Sequence, residues 1–430
     1  VIESQMESAV EAVAQRRIPP YVDGLQHISR YAEVDEVMSS PDFVQGGGAD
    51  RREFLGDCLL MLDGDHHLEK KQRYSALFTK GAMTFYETQL LDPVIEQVMS
   101  ELQTHKGKDG LARTDLVPLI RIMLHRIAAR VVGVDDVNTP ERTERFRILV
   151  TRMGEAQAAR FTKGEIGDVV KAGRQTLATL IDEFLRAPLE RRQALVRRCQ
   201  AGELPKEELP KDLLTLICLH GDDVRPGDEA HYAYVFRECS FFLAASTQTT
   251  SHELPHVVVH LCHWLGEHPE DAPKLRDPAF LRLAAGESLR LHQTAPVKLR
   301  IATRDVTLAS SGRQVAAGEQ VALLAPFANL DTDVFGPDAL AFNPYRTPPK
   351  GVQPWGLTFG AGVHSCLGRS LVTGLMNRAD AKSGTEGTMV KILKVLFHHG
   401  VELDPDDPPK FMARSYHDAY ESVPIILRGI

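Results

Sequence analysis

Phe359-Gly360-Ala361-Gly362-Val363-His364-Ser365-Cys366-Leu367-Gly368 sets one cysteine inside a glycine-rich turn that leads into an apolar segment. Glycines at 360, 362 and 368 relieve the backbone of side-chain bulk. Amide N–H groups can then turn toward the sulfur, and a flat ligand can approach. Hydrogen bonds of that kind, with a metal on the other side, hold a cysteine as a thiolate. A lone cysteine in a tight turn is more commonly a buried free thiol. The complete pattern F-G-x-G-x-H-x-C-x-G argues for the ligand-holding alternative.

Three further anchors follow the same order along the chain. Glu287-Ser288-Leu289-Arg290 supplies E-x-x-R, whose i, i+3 spacing puts carboxylate and guanidinium on one helix face. Ala328-Asn329-Leu330-Asp331 and Phe342-Asn343-Pro344-Tyr345-Arg346 come next. Upstream lies Asp63-Gly64-Asp65-His66-His67, followed by Lys71 and Phe78-Thr79. Together with the cysteine loop these stretches resemble the cytochrome P-450 family: its heme loop, its E-x-x-R helix, its A-N-x-D turn, its F-x-x-x-R meander and its H-x-x-x-R helix. The resemblance runs from about residue 28 to the C-terminus. It implies a mainly α fold with small β-sheets, a single domain over residues 1–430, and heme b (iron protoporphyrin IX) with Cys366 as axial iron ligand. Phe359 and Gly360 would border the heme in that loop. Glu287, Arg290 and Arg346 would form a buried charge triad. His67, Lys71, Arg300 and His364 would neutralise the heme propionates. Lys71 stands where relatives usually carry Arg and offers a point charge instead of a bidentate fork.

The composition suits such an enzyme. The chain has 430 residues and 43% apolar content, enough to bury a large core. No run approaches the roughly 20 apolar residues that cross a bilayer, and no signal-peptide pattern leads the chain, which begins at Val1. Six cysteines without paired spacing suit a reducing cytoplasm, and a formal charge of −8 argues against a nucleic-acid partner.

Periodicity predicts an amphipathic stretch over Glu3–Gln15 and an edge strand within Tyr21–Ser29. Helices are predicted in Ala32–Met38, Gln89–Leu102, Arg113–Val132, Thr139–Ala158 and Asp168–Arg186, and a long one from about Asp228 to Leu265. Strand-like alternation falls in Arg300–Leu308, Val315–Leu324 and Ser422–Leu427. After the cysteine, Leu371–Met376 gives way to Asn377–Gly387, whose two glycines and charged run predict a loop near the cysteine face. Arg378 and Lys382 in that loop are candidates for docking an acidic electron carrier. The Glu69–Arg73 charge cluster is a second candidate.

The long helix carries Ala245-Ser246-Thr247-Gln248-Thr249-Thr250 where relatives have A-G-x-[DE]-T-[TS]. By resemblance Thr249, Gln248 and Ser246 would be the catalytic group. A helix-interior hydroxyl can bond the carbonyl four residues back and loosen the backbone there. Gln248 replaces the usual acid; its amide orients a water but cannot relay a proton by ionising. Just beyond, His252-Glu253-Leu254-Pro255-His256 satisfies H-E-x-x-H, the signature of a zinc metallopeptidase. Pro255 strains that turn by roughly 3 kcal/mol, and a third ligand is missing: positions 259, 262 and 276 are Val259, Cys262 and Arg276. His252, His256 and His260 read better as one polar stripe, and Pro255 as a kink.

The resemblance therefore implies a heme-thiolate monooxygenase. It would insert one oxygen atom of O2 into a hydrophobic small molecule, with electrons from a separate ferredoxin or flavodoxin and its reductase. A peroxide-driven or non-oxidative heme-thiolate enzyme stays open because of Gln248, as does a non-catalytic heme-binding protein. The segment from Phe43 to Leu62, including Gly46-Gly47-Gly48, is expected to roof the pocket. Val297 and Tyr416–Ala419 are expected at its rim.

Overall fold

The computed structural model describes residues 18–47, 54–102, 104–107, 109–161, 163, 165–220, 229–375 and 384–429. Glu3–Gln15, Gly48, Arg378 and Lys382 lie outside the described residues. The helices that position the site are α1 (Tyr31–Ser39), α2 (Gly64–Tyr74), α3 (Leu116–Val132) and α4 (Pro140–Gln157). They are followed by α5 (Glu229–Glu267), α6 (Pro278–Leu291), α7 (Arg369–Thr373) and α8 (Gly387–His398). Sequence signals set the starts: Asp115, Thr139 and Asp277 each accept a backbone N–H at an N-terminus, and Pro140 and Pro278 occupy first-turn positions.

Two small sheets accompany the helices. In the first, β1 (Gln26–Ile28), β2 (Phe43–Gln45), β3 (Lys298–Ala302) and β4 (Gln320–Leu323) stand in the order β1-β4-β3-β2. The β1–β4 pair is parallel and the other two are antiparallel. β1 is thus the edge strand expected near Tyr21–Ser29. The second sheet pairs Pro424–Leu427 with Ala112–Asp115 on one side and Val401–Leu403 on the other. Pairing with the C-terminal strand draws Arg113–Asp115 out of the expected helix. The helix expected over Asp168–Arg186 instead runs on: Ile166–Leu180 continues through a π-turn into Arg186–Gln200. Pro188 sits in that last helix's first turn, where its missing N–H costs nothing.

The buried apolar side chains form two main clusters, and α5 passes through both. Val235, Phe236, Cys239 and Leu243 belong to one, with α4 and the end of α3. Leu254, Val257, Val258 and Leu261 belong to the other, with α3, α6, α8 and the C-terminal sheet. The stretch between them, residues 244–253, is the polar one. α5 runs through Pro255 as one helix, so the expected kink does not interrupt it.

The segment after the cysteine is the least regular part of this region. α7 stops at Thr373, and Leu375 and Thr385 pair across the base of the insertion. A Cβ on Gly387 would lie 2.2 Å from the Gly374 nitrogen and 2.8 Å from the Thr373 carbonyl carbon. The two glycines allow the ends of the insertion to touch, so α8 resumes where α7 broke off. Thr388 Oγ1 donates to the Leu371 carbonyl across that joint, at 2.9 Å.

Candidate active site

Cys366 is fixed by its own loop. Its N–H donates to the Phe359 carbonyl at 2.8 Å, and Ser365 N–H to Gly362 at 3.2 Å. Gly362 has φ +62°, and a Cβ there would strike the Met38 carbonyl of α1 at 2.6 Å. That close approach of α1 fixes a glycine at 362. Gly368 keeps an ordinary φ of −75°, and a Cβ on it would stand 3.8 Å from the sulfur. Its bareness therefore leaves room beside the thiol and serves no backbone need. Cys366 is exposed to solvent, yet crowded by protein on its remaining sides. Burial pushes its thiol up; the Gly368 and Arg369 amides and the Lys71 and Arg369 cations pull it back. Lys71 holds the loop itself, donating to the carbonyls of Val363 and Ser365.

A cradle of cations lies beside this sulfur. Gln45 of β2 stands opposite Arg300 of β3, so the two side chains share a sheet face. Arg300 donates to Gln45 Oε1 at 2.8 Å. Lys298, two residues earlier, shares that face by strand alternation. Its Nζ is buried and has no hydrogen-bond partner among the described residues. Burial, then the Arg300 charge, hold the Lys298 amine down to about 7, while Cys366 pulls the other way. Burial also lowers Arg300 to about 10. His364 lies 3.0 Å from Asp63 Oδ1 through Nε2 and 3.2 Å from Gln45 through Nδ1. The buried His67 ring lies 4.1 Å from that of His364, and its Nδ1 has no partner. Burial and then the neighbouring His364 and Lys71 hold His67 down to about 4. One carboxylate, Asp63, faces this whole group. Two orphaned nitrogens and a deficit of negative charge fit a ligand that brings carboxylates, as heme does with its two propionates. Asp63 and Gln45 were not singled out from the sequence as members of the cradle, and neither was Lys298. Its alternation with Arg300 was the available signal.

Across the loop, α5 presents one exposed strip in an otherwise buried stretch, Ala245 and Thr249. Thr249 Oγ1 donates to the Ala245 carbonyl at 2.8 Å, and Ser246 Oγ to Phe242 at 2.8 Å. Gln248 turns elsewhere: its side chain fills the notch at Gly154 of α4, where a Cβ would meet its Cγ at 2.8 Å. One turn before the strip, Phe241 packs against Leu55, Cys58, Leu60 and Met61. That part of the expected roof thus lies on the same helix face. Val297 does not reach a rim; it is buried among Val22, Ala322 and Leu324.

Glu287, Arg290 and Arg346 come together. Arg290, fully buried, donates to both oxygens of Glu287 at 2.7 and 2.8 Å, and Arg346 Nε donates to Glu287 Oε1 at 2.8 Å. Arg290 also donates to the carbonyls of Asn329 and Ala339. Asn329 in turn accepts the Leu357 N–H at 2.7 Å and donates to Thr358. The triad is thereby tied to the approach of the cysteine loop.

The H-E-x-x-H pair is not assembled as a peptidase centre. His252 lies beside His417, with ring centroids 5.3 Å apart, while His256 stacks on His292 at 3.8 Å. The histidine stripe is buried and recruits groups from other segments.

Fold and site together define a protein built to hold a heme on a cysteine sulfur. Residues 274–376 match the family described as Cytochrome P450. The chain is 24% identical over 371 residues to the C-19 steroid 1alpha-hydroxylase of Sorangium cellulosum, covering 83% of this chain and 78% of that protein. It is 25% identical over 370 residues to the cyclooctat-9-en-7-ol 5-monooxygenase of Streptomyces melanosporofaciens, covering 78% and 73%. Among solved structures, a mutant of P450 EryK in complex with erythromycin B superposes with a TM-score of 0.67 at 20% identity, over 99% of this chain and 97% of that one. The chain belongs to the cytochrome P450 family, whose members carry heme iron, and it is an oxidoreductase of the monooxygenase class. No helix among the described residues is long and apolar enough to cross a membrane.

Proposed function

We propose that this chain holds heme b through Cys366 and inserts one oxygen atom of O2 into a hydrophobic small molecule. The carrying observation is the cysteine sulfur, open to solvent on one side, ringed by two amides and two cations, and flanked by the under-compensated cradle. When bound, heme with a thiolate ligand supplies activation of dioxygen, because the sulfur donates electron density that favours O–O cleavage. Lys71 and Arg369, with the amides of Gly368 and Arg369, keep Cys366 ionised. Lys298, Arg300 and His67 take the propionates, with His364 held in line by Asp63 and Gln45. Thr249, whose proton is committed to the Ala245 carbonyl, presents oxygen lone pairs to the opening, where they accept and pass on a proton from water. Phe241, Leu60 and Met61 favour an apolar substrate. Steroid and terpenoid relatives support that class. Electrons come from a separate ferredoxin or flavodoxin with its reductase, since no flavin or nicotinamide fingerprint is present in the sequence.

One observation favours a second reading. Gln248 replaces an acid and rests against Gly154, so proton delivery from that position is absent, and a peroxide-driven reaction avoids the need for it. The test is the reduced carbon monoxide spectrum with turnover of a compound library. The wild type should absorb at the long wavelength of thiolate heme, and Cys366→His should lose that band. Product with ferredoxin, reductase and NADPH supports the first reading; product with hydrogen peroxide alone supports the second. A protein that takes up no heme refutes both.

A further inference from the structure

Behind the active-site strip, three segments far apart in sequence bring metal-ligating side chains together. α5 supplies His256 and His260, one turn apart. His292 follows directly after α6, and Asp418 lies in the C-terminal segment just before the strand Tyr420–Ser422. His256, His292 and Asp418 each place one ligand atom within 4.8 Å of the others. His260 Nε2 lies 2.8 Å from His292 Nε2. The fourth group is thus in reach.

The hydrogen bonds orient this cluster for a cation. His292 Nδ1 lies 2.7 Å from Asp418 Oδ2, so the carboxylate takes the Nδ1 proton and leaves a lone pair on Nε2. A histidine steered by a carboxylate on its far nitrogen is the arrangement that supports metal-bound imidazole. The ring of His260 is stacked on Phe342 at 4.5 Å, which fixes its plane. Burial, then the charges of His256 and His263, hold His260 down to about 3, so it is neutral and competent to ligate at any ordinary pH. The segment bearing Asp418 is itself anchored, because Tyr416 N–H donates to Phe161 and His417 bonds the Thr294 carbonyl. Zinc–nitrogen bonds of about 2.0–2.1 Å in a tetrahedron need nitrogens roughly 3.3 Å apart. The His260–His292 pair therefore opens by about half an ångström.

We propose that His256, His260, His292 and Asp418 form a binding site for a divalent transition-metal ion, with Zn2+ as the ion that imidazole-rich, single-carboxylate sets favour. The ion clamps the C-terminal segment to α5 one to three turns beyond Thr249, and so ties the edge of the substrate opening to the helix that carries the distal hydroxyl. The site needs neither His252 nor Glu253 and carries no hydrolytic chemistry.

The test uses tag-free holoenzyme dialysed against zinc-buffered solution, with zinc and heme iron measured together by mass spectrometry. About one zinc per heme should be retained, and zinc-edge X-ray absorption should report imidazole nitrogen in its first shell. Asp418→Asn and His260→Gln should each weaken retention at least tenfold while heme content stays full. The surface change His268→Gln should leave it unaltered. No zinc retained by folded, heme-loaded protein overturns the site, and so does equal retention in the Asp418→Asn/His260→Gln double variant. Because heme content is read separately, a failure here is distinct from a failure of the heme assignment.

Discussion

Glu287→Ala removes the one carboxylate that two arginines share, and the two are left in different states. Arg346 keeps Asp338, which it reaches at 2.8 Å and which is half exposed. Arg290 keeps only the carbonyls of Asn329 and Ala339, at 2.7 Å each, and its fully buried charge has no other counter-ion. Stranding a buried charge in this way costs roughly 3–5 kcal/mol. Melting entropy runs near 2.1 cal/mol/K per residue, which over the 430 residues of this chain is about 0.9 kcal/mol/K. The expected fall in melting temperature is therefore about 3–6 °C. It should come with less heme per chain, because Asn329 passes the disturbance to Leu357 and the cysteine loop. Calorimetry with the heme-to-protein absorbance ratio measures both. Glu287→Gln keeps the shape and one acceptor, so its fall isolates the charge from the cavity. A Glu287→Ala protein that melts within about 1 °C of wild type with full heme would refute the reasoning and make the triad an ordinary ion pair.

Lys298→Met should speed heme transfer to excess apomyoglobin by about 10–100-fold, the worth of one charge-assisted hydrogen bond. The unpaired amine titrates near 7 and a propionate raises it, so wild-type heme loss should quicken as pH climbs above neutrality while the variant stays flat; equal rates would remove Lys298 from the cradle. Thr249→Ala loses only a bond to its own helix, so it should fold and load heme normally while more of its NADPH ends as hydrogen peroxide; unchanged coupling in a ferredoxin-driven assay would deny the hydroxyl its role. Deleting residues 374–386, so that Thr373 runs into Gly387, should leave a folded, heme-loaded protein, because those two residues already lie at near-bonding distance. Collapse of the heme-loaded yield would show the insertion to be structural.

What was legible in the sequence was local. The cysteine loop is contiguous, and its glycines, histidine and cysteine announce a ligand-holding turn before any fold is known. Glu287 and Arg290 are one helical turn apart, so their pairing follows from spacing. The cradle is different. Lys298 joins it because β3 pairs with β2 in a register that sets Gln45 opposite Arg300, and strand register is a property of two segments some 255 positions apart. The histidine stripe was readable on α5, but its partners His292 and Asp418 stand 32 and 162 positions from the residues they meet. No periodicity reaches that far.

The departures from the family pattern divide along the same line. Lys71 was visible as a replacement for arginine, but its consequence depends on what it touches. It grips the Val363 and Ser365 carbonyls, a task for three rotatable donors on a flexible stem, and the missing guanidinium fork matters less there than it would against a carboxylate. Gln248 was equally visible, and its meaning turned on Gly154. A glycine on α4 leaves the notch that the glutamine side chain fills, and an alanine there would press a Cβ to 2.8 Å from Cγ. The amide is thereby used for packing between α4 and α5. Thr249 then holds the distal hydroxyl role alone, with its neighbour Ser246 spent on the Phe242 carbonyl. A chain that gives up its usual acid in this way must draw its protons along the exposed Ala245–Thr249 strip itself, from solvent entering under Phe241.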